Sequence, residues 1–300
     1  MGTWRRATQP LVGCSLWAAA SLLSAAQPDV VWNHALKQLE RTSGGRCGVA
    51  VVDAGGQTLL QYRAGQRFAM CSTFKLLLVA AVLRRADAGA LSLEERLPLG
   101  RKDLLAHSPV TEARVGEGSM PVVELCEAAL TQSDNCAANL LLRRLGGPGV
   151  VTGLARDLGD PVTRLDRWEP GLNSNLEGDP RDTTSPAAMA NLLRGLLEGP
   201  TLAQASRQRL EAWLVQVQTG LARLRAGFPS EWQTGDKTGT GARGATNDVA
   251  FLRLPSGARV YIAAYTSGLK LPFAKQERLL AEVGRLTVAF LQSSRVKEAP

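Results

Sequence analysis

The sequence predicts an α/β (α+β) fold in which one antiparallel sheet is assembled from both ends of the chain, with flanking helices and an inserted all-helical domain. Three observations predict it. β-prone runs bounded by turn residues lie near both ends, helical spacing dominates from Ser72 to Val217, and successive strand runs are joined by hairpin signals, which favours antiparallel pairing over a doubly wound sheet. The expected division is 27–66 with 217–300 for the sheet domain and 67–216 for the helical domain, the latter holding a long loop over 160–182.

Residues 1–26 carry Arg5 and Arg6, an apolar stretch over 10–23, then Ser24, Ala25 and Ala26, the pattern of a secretory signal peptide cut near Ala26. The arginine pair fits either the general or the twin-arginine export route, and Cys14 precedes the apolar core, unlike a lipoprotein cysteine. Helical spacing over 31–41 (Val31, Ala35, Leu36, Leu39) stops at Gly44-Gly45. Apolar runs over 47–52 and 58–62 flank Asp53-Ala54-Gly55-Gly56, a hairpin signal. Helices are expected over 72–87, over 121–131 with Pro121 at an N1-like position, over 135–145 and over 150–158. The stretch 160–182 is rich in Gly, Pro, Asn and Asp, lacks periodicity and exceeds an ordinary connection, so it reads as a packed functional loop. Helices resume over 185–197 and 202–217. Strands follow over 233–237, 246–254 and 259–266, and a terminal helix over 272–292 carries Leu279, Leu280, Val283, Leu286, Ala289 and Phe290 on one side.

Composition excludes more than it selects. The chain of 300 residues is 45% hydrophobic and 21% charged, ordinary for a globular protein. Without residues 1–26 it keeps 33 basic and 27 acidic residues, a charge of +6, with no basic run longer than a pair, so nucleic acid is not an expected partner. A mild positive charge suits anionic small molecules. No apolar run after residue 26 approaches the roughly 20 residues of a membrane span. With only His34 and His107, a zinc hydrolase built on imidazoles is excluded and no metal or other cofactor is expected. Cys47, Cys71, Cys126 and Cys136 allow three full pairings, among which spacing does not choose.

The chemistry gathers at helix and strand ends. In Met70-Cys71-Ser72-Thr73-Phe74-Lys75, at the head of an apolar helix, Ser72 and Lys75 share a face about 5–6 Å apart, where an ammonium can reach a hydroxyl and free N–H groups can hold an oxyanion. No G-x-S-x-G elbow exists and histidine is scarce, so a base for Ser72 is not obviously histidine. Ser133-Asp134-Asn135 offers a hydroxyl for proton relay and an amide for a carbonyl; Glu169 and Asn173 could hold a water between them. Lys237-Thr238-Gly239-Thr240-Gly241 presents an ammonium and two hydroxyls to a carboxylate, with glycines permitting close approach to a strand edge. Arg167 and Asp182 bracket the long loop and could close it, a pairing that matters only if buried.

Taken in this order, Ser72-x-x-Lys75, Ser133-Asp134-Asn135, Glu169-x-x-x-Asn173 and Lys237-Thr238-Gly239 resemble the active site of a class A serine β-lactamase, a family for which these serine-lysine, S-D-N and K-T-G elements are a known signature. The resemblance runs from about Val31 to Phe290, and 168–184 looks like the family's omega loop. It implies the serine β-lactamase and penicillin-binding-protein-like fold, a β-lactam as small-molecule partner, a monomer, and a periplasmic or secreted location. It also implies roles. Ser72 would be acylated, with the N–H groups of Ser72 and Thr240 as oxyanion hole. Lys75, or Glu169 through a water, would take the serine proton. Ser133 would protonate the leaving nitrogen, Glu169 would activate the deacylating water, and Asn135, Asn173, Lys237, Thr238 and Thr240 would bind substrate or water.

Three departures qualify the transfer. Where many relatives carry an arginine after K-T-G this chain has Thr246, so Arg223, or alternatively Arg225, would supply the guanidinium. His107 stands at a rim position where an aromatic is common, for shape recognition or simply as a surface residue. Cys71 and Cys126 face Gly241 and Val79 where relatives have disulfide partners, so free or unconventionally paired thiols are expected. A penicillin-binding D,D-peptidase and a non-catalytic β-lactam sensor share part of the signature, and Glu169 with Asn173 argues for turnover against both.

Overall fold

The computed structural model describes residues 28–293; the expected signal peptide lies outside the described residues. The helix α1 (Pro28–Ser43) is followed by β1 (Arg46–Asp53), β2 (Thr58–Tyr62) and the short β3 (Phe68–Ala69), then by α2 (Phe74–Asp87). Next come β4 (Arg96–Pro98), α3 (Pro109–Arg114), β5 (Ser119–Pro121), α4 (Val122–Thr131), α5 (Asn135–Leu145) and α6 (Gly149–Asp157). The chain continues through β6 (Thr183–Thr184), α7 (Pro186–Glu198), α8 (Gln204–Val215), β7 (Gln233–Gly241), β8 (Ala245–Arg253), β9 (Arg259–Ser267) and α9 (Phe273–Ser293).

Strands from the two ends of the chain form one antiparallel sheet in the order β2-β1-β9-β8-β7, as predicted. The interior of β1 is buried on both faces, which explains why it reads as an apolar run instead of an alternating one. Val49 and Val51 pack with Trp32 and Leu36 of α1 and Leu280 and Val283 of α9 on one side. Ala50 and Val52 belong to the larger core on the other side, with the helices from α2 onward. The centre of that core is α2, buried from Phe74 to Leu83. A helix apolar all round requires neighbours all round, and α4, α5, α6 and α8 supply them.

Several boundaries differ from expectation. Pro121 does not open α4 from within. It ends β5 in an extended conformation (φ −62°, ψ 146°) and serves as the N-cap. The two-stranded ribbons β3-β6 and β4-β5, and the short α3, are too brief to leave a period in the sequence. β7 runs on to Gly241, past Lys237 where its β-prone residues end, because every residue through Gly241↔Ala245 pairs with β8. The glycine at 239 is required by proximity. A Cβ there would lie 2.6 Å from the carbonyl oxygen of Met70, so glycine lets this edge strand lie against the Ser72 turn.

Candidate active site

Ser72 lies in a 3₁₀ turn, Cys71–Thr73, that feeds directly into α2. Cys71 before it has φ 46°, and His107 and Ser133 nearby have φ 60° and 58°, left-handed conformations uncommon for residues with a Cβ. The turn is held by Asn247, whose Nδ2 donates to the carbonyls of Ala69 (2.9 Å) and Met70 (3.2 Å). The Ser133 turn is held by Asp134, whose carboxylate accepts from the backbone N–H groups of Val110, Thr111 and Ala137 and from the Thr111 hydroxyl.

These turns bring the predicted residues together. The Ser72 hydroxyl donates to Glu169 Oε1 at 3.4 Å. Lys75 does not spend its ammonium on Ser72, the arrangement the spacing suggested. Its Nζ donates to the Ser133 carbonyl (2.7 Å) and Asn135 Oδ1 (2.6 Å), and lies 3.2 Å from Glu169 Oε1. A fully buried cation takes the partners that best compensate lost water, and a carboxylate and carbonyls do so better than a hydroxyl. Burial nevertheless pushes the Lys75 ammonium below its ordinary range, with Glu169 pulling the other way. Lys237, also fully buried, donates to Ser133 Oγ and to the Thr238 carbonyl, each at 3.0 Å. Its ammonium is pushed well below the ordinary range, first by burial and then by the neighbouring Lys75. Ser133 Oγ therefore sits between two lysines, 3.0 Å from Lys237 and 3.5 Å from Lys75.

Glu169 is held from both sides. Asn173 Nδ2 donates to its Oε2 at 2.5 Å, and the Asn173 Oδ1 atom is buried with no hydrogen-bond partner. The backbone of Glu169, which precedes a cis bond to Pro170, is clamped by Asn139: Nδ2 donates to the Glu169 carbonyl (2.9 Å) and Oδ1 accepts from its N–H (3.1 Å). Asn139 was not foreseen. Its signal was faint but physical, an amide inside α5 where asparagine disfavours helix. Asn139→Ala is expected to lower stability by about 1–3 kcal/mol by stranding these two groups, read by chemical denaturation. An unchanged midpoint would show that the loop carries itself.

Arg167 and Asp182 close the loop in earnest. Asp182 is wholly buried, accepting from Arg167 Nε (2.5 Å) and from the N–H groups of Asp166 (2.7 Å) and Arg167 (2.9 Å). At the far end of the site, Arg223 and not Arg225 reaches the Gly239-Thr240 end of the K-T-G strand. Its Nη2 donates to Thr240 Oγ1 (2.7 Å), and its Nη1 to the carbonyls of Gly239 (2.9 Å) and Asn247 (2.8 Å). Arg225 is turned to Asp236. Thr238 Oγ1 pairs with Thr219 Oγ1 at 2.6 Å, while Thr240 is exposed. Asn135 Nδ2 donates to the Ala106 carbonyl (2.8 Å), and exposed His107 uses Nε2 to donate to the Gln132 carbonyl (2.9 Å). Among the described residues no cluster of His, Cys, Asp or Glu could hold a metal.

The four cysteines among the described residues, Cys47, Cys71, Cys126 and Cys136, are free and buried, in line with the expectation. Burial pushes the Cys71 thiol up to about 12, and a Cβ at Gly241 would meet its Sγ at 2.6 Å. Behind β7, Asp236 and Asp248 face Arg223, Arg225 and Lys237. Burial and the neighbouring Asp236 hold the Asp248 carboxyl well above the ordinary range. A raised folded-state value means stability complete below the unfolded value near pH 4 and lost as pH rises toward the folded one. Asp248→Asn, which keeps an acceptor for the Leu224 N–H, is therefore expected to gain stability relative to wild type as pH rises from 4 to 8. Urea midpoints of the two proteins that run parallel across this range would refute a raised folded-state value for Asp248.

The sequence profile described as the beta-lactamase enzyme family matches residues 33–291. The chain is 43% identical over 251 residues to beta-lactamase Toho-1 of Escherichia coli, covering 84% of this chain and 86% of that protein. It is 45% identical over 251 residues to beta-lactamase AST-1 of Nocardia asteroides, covering 84% and 81%. Among solved structures it resembles the last common ancestor of Gram-negative bacteria class A beta-lactamase at a TM-score of 0.85 and 53% identity, covering 87% of this chain and 99% of that one.

Proposed function

From the premise that this chain belongs to the class A β-lactamases, which hydrolyse β-lactams and confer resistance to them, we propose that it does so through an acyl-enzyme on Ser72 that Glu169 resolves. The observation that carries the reading is the position of the Glu169 carboxylate, within 3.4 Å of the Ser72 hydroxyl, 3.2 Å of Lys75 and 2.5 Å of Asn173.

Ser72 Oγ attacks the lactam carbonyl. Its proton leaves to Lys75, whose depressed affinity for protons suits a base, or through a water to Glu169. Charge developing on the carbonyl oxygen is met by the N–H groups of Ser72 and Thr240, the latter on the edge strand of the sheet. Ser133, bonded to Lys237, passes a proton to the departing nitrogen as the C–N bond breaks. The substrate carboxylate lies against Thr238, Thr240, Lys237 and the Arg223 guanidinium that braces Thr240. Asn135 retains one amide hydrogen and one lone pair beyond its bonds to Lys75 and Ala106, enough to orient a substrate amide, and His107 shapes the rim. For deacylation, Glu169 removes a proton from a water that the unpaired Asn173 Oδ1 helps to position, the water attacks the ester, and Ser72 regains its proton.

Export follows from residues 1–26, with cleavage near Ala26 and release to the periplasm or medium. Among the described residues no helix is long and apolar enough to cross a membrane. The test is turnover of a chromogenic cephalosporin by residues 27–300 with intact mass recorded during the reaction. Many turnovers with a transient adduct are expected; a stable stoichiometric adduct and no turnover would replace the hydrolase by a sensor or peptidase.

A further inference from the structure

A cleft of about 920 Å³ lies behind the 160–182 loop, between it and the ends of β1 and β9; neither Ser72, Lys75, Glu169 nor Lys237 lines it. Its walls carry five arginines. Two are neutralised within the loop, Arg167 by Asp182 and Arg181 by Asp179. The other three, Arg46, Arg67 and Arg243, have no carboxylate within ion-pair distance among the described residues. Their donors rest on neutral oxygens: Arg46 on Gln66 Oε1 and the Arg67 carbonyl, Arg67 on the Val162 carbonyl and Thr183 Oγ1, Arg243 on the Ser174 carbonyl. Against these stands one acidic side chain on the wall without a cation partner, Glu177. Three unpaired guanidiniums against one carboxylate leave a surplus of two positive charges in one concavity.

Such a surplus has a physical consequence. Like charges in a concave, partly desolvated space repel one another and focus a positive potential on whatever enters. Burial and then Arg63, outside the cleft, lower the Arg46 guanidinium from its ordinary range, and the charge of Glu177 on the wall already opposes them. Guanidinium forks match the tetrahedral oxygens of phosphate, and a dianion balances a surplus of two. The cleft is large enough to admit an organic group beyond the phosphate itself.

We propose that this cleft binds a phosphate dianion, free or as a small monoester, bridging Arg46 and Arg67 beside the sheet to Arg243 on the β7–β8 turn and to the omega loop. The occupied site clamps the loop that carries Glu169 and Asn173, so it tunes the loop's mobility. Any effect on turnover rests on the role proposed for Glu169; the binding does not.

The experiment is a titration of isotopically labelled full-length mature protein with inorganic phosphate, and separately with glycerol phosphate, followed by amide NMR at ionic strength held constant with chloride. Saturable shifts are expected over 175–181 and 242–244. The double variant Arg46→Gln with Arg243→Gln should weaken binding by about tenfold or more, a change of roughly 1.4 kcal/mol. Glu177→Gln, which leaves every arginine in place, should tighten it several-fold and guards against a misfolded double variant. Arg223→Gln separates this cleft from the substrate carboxylate site and should leave the loop shifts intact. Shifts confined to 237–240 and lost in Arg223→Gln would overturn the proposal, as would loop shifts reproduced by chloride or unchanged affinity in Glu177→Gln. Saturation by inorganic phosphate but not glycerol phosphate would overturn the monoester.

Discussion

Glu169→Ala is expected to accumulate a stoichiometric acyl-enzyme with penicillins and cephalosporins while steady-state turnover falls about 10³–10⁴-fold, the upper range for loss of a general base. The expectation follows from where the carboxylate sits. It contacts both the nucleophile and Asn173, so its removal takes the base away from the water without removing Ser72. Lys75 loses the one anion within ion-pair distance among the described residues, at 3.2 Å, but keeps its bonds to the Ser133 carbonyl and Asn135. Without that charge its affinity for protons drops further, because Glu169 opposes the effect of burial. With Lys75 as the acylation base its neutral amine is the competent form, so acylation of the variant should survive and should rise with pH over a lower range than in wild type. Stopped-flow acylation and intact mass would read this. An acylation rate that collapses along with turnover would make Glu169 the base for both steps; undiminished turnover would remove it from the mechanism.

Ser72→Ala is expected to reduce turnover about 10⁶-fold, the scale seen when a hydrolase loses its nucleophile, and to give no covalent adduct on the intact protein. The fold should tolerate the change. Ser72 is half-buried and its side chain makes one long bond, while the lysines, Ser133 and Asn135 are held by contacts that do not involve it. Stability should therefore stay within about 1 kcal/mol of wild type. Persistent labelling would move the nucleophile elsewhere, and a large loss of stability would make the lost activity uninformative about chemistry.

How legible the site was depended on the kind of signal. Ser72, Lys75, Ser133, Glu169, Asn173 and Lys237 were all named from the sequence because each lies in a short motif at an element end. Asn139, Asp134 and Asn247 were not assigned roles, since a side chain that holds a distant backbone carbonyl or N–H leaves no local spacing to read. Arg223 and Arg225 could not be separated by sequence either. Two residues apart, they diverge to Thr240 and Asp236 only when the 220s segment packs behind β7.

By itself, then, the sequence determined the strand-prone ends, the helical middle, the long loop and which residues are candidates for the reacting groups, because periodicity, turn residues and motif chemistry are local properties of the chain. Tertiary structure alone decided that Lys75 turns to Ser133, Asn135 and Glu169, that Ser133 stands between two buried lysines, and that the arginines behind the loop share one cleft. Those outcomes depend on which charges lose water together, and burial is a property of the packed molecule that no stretch of sequence carries.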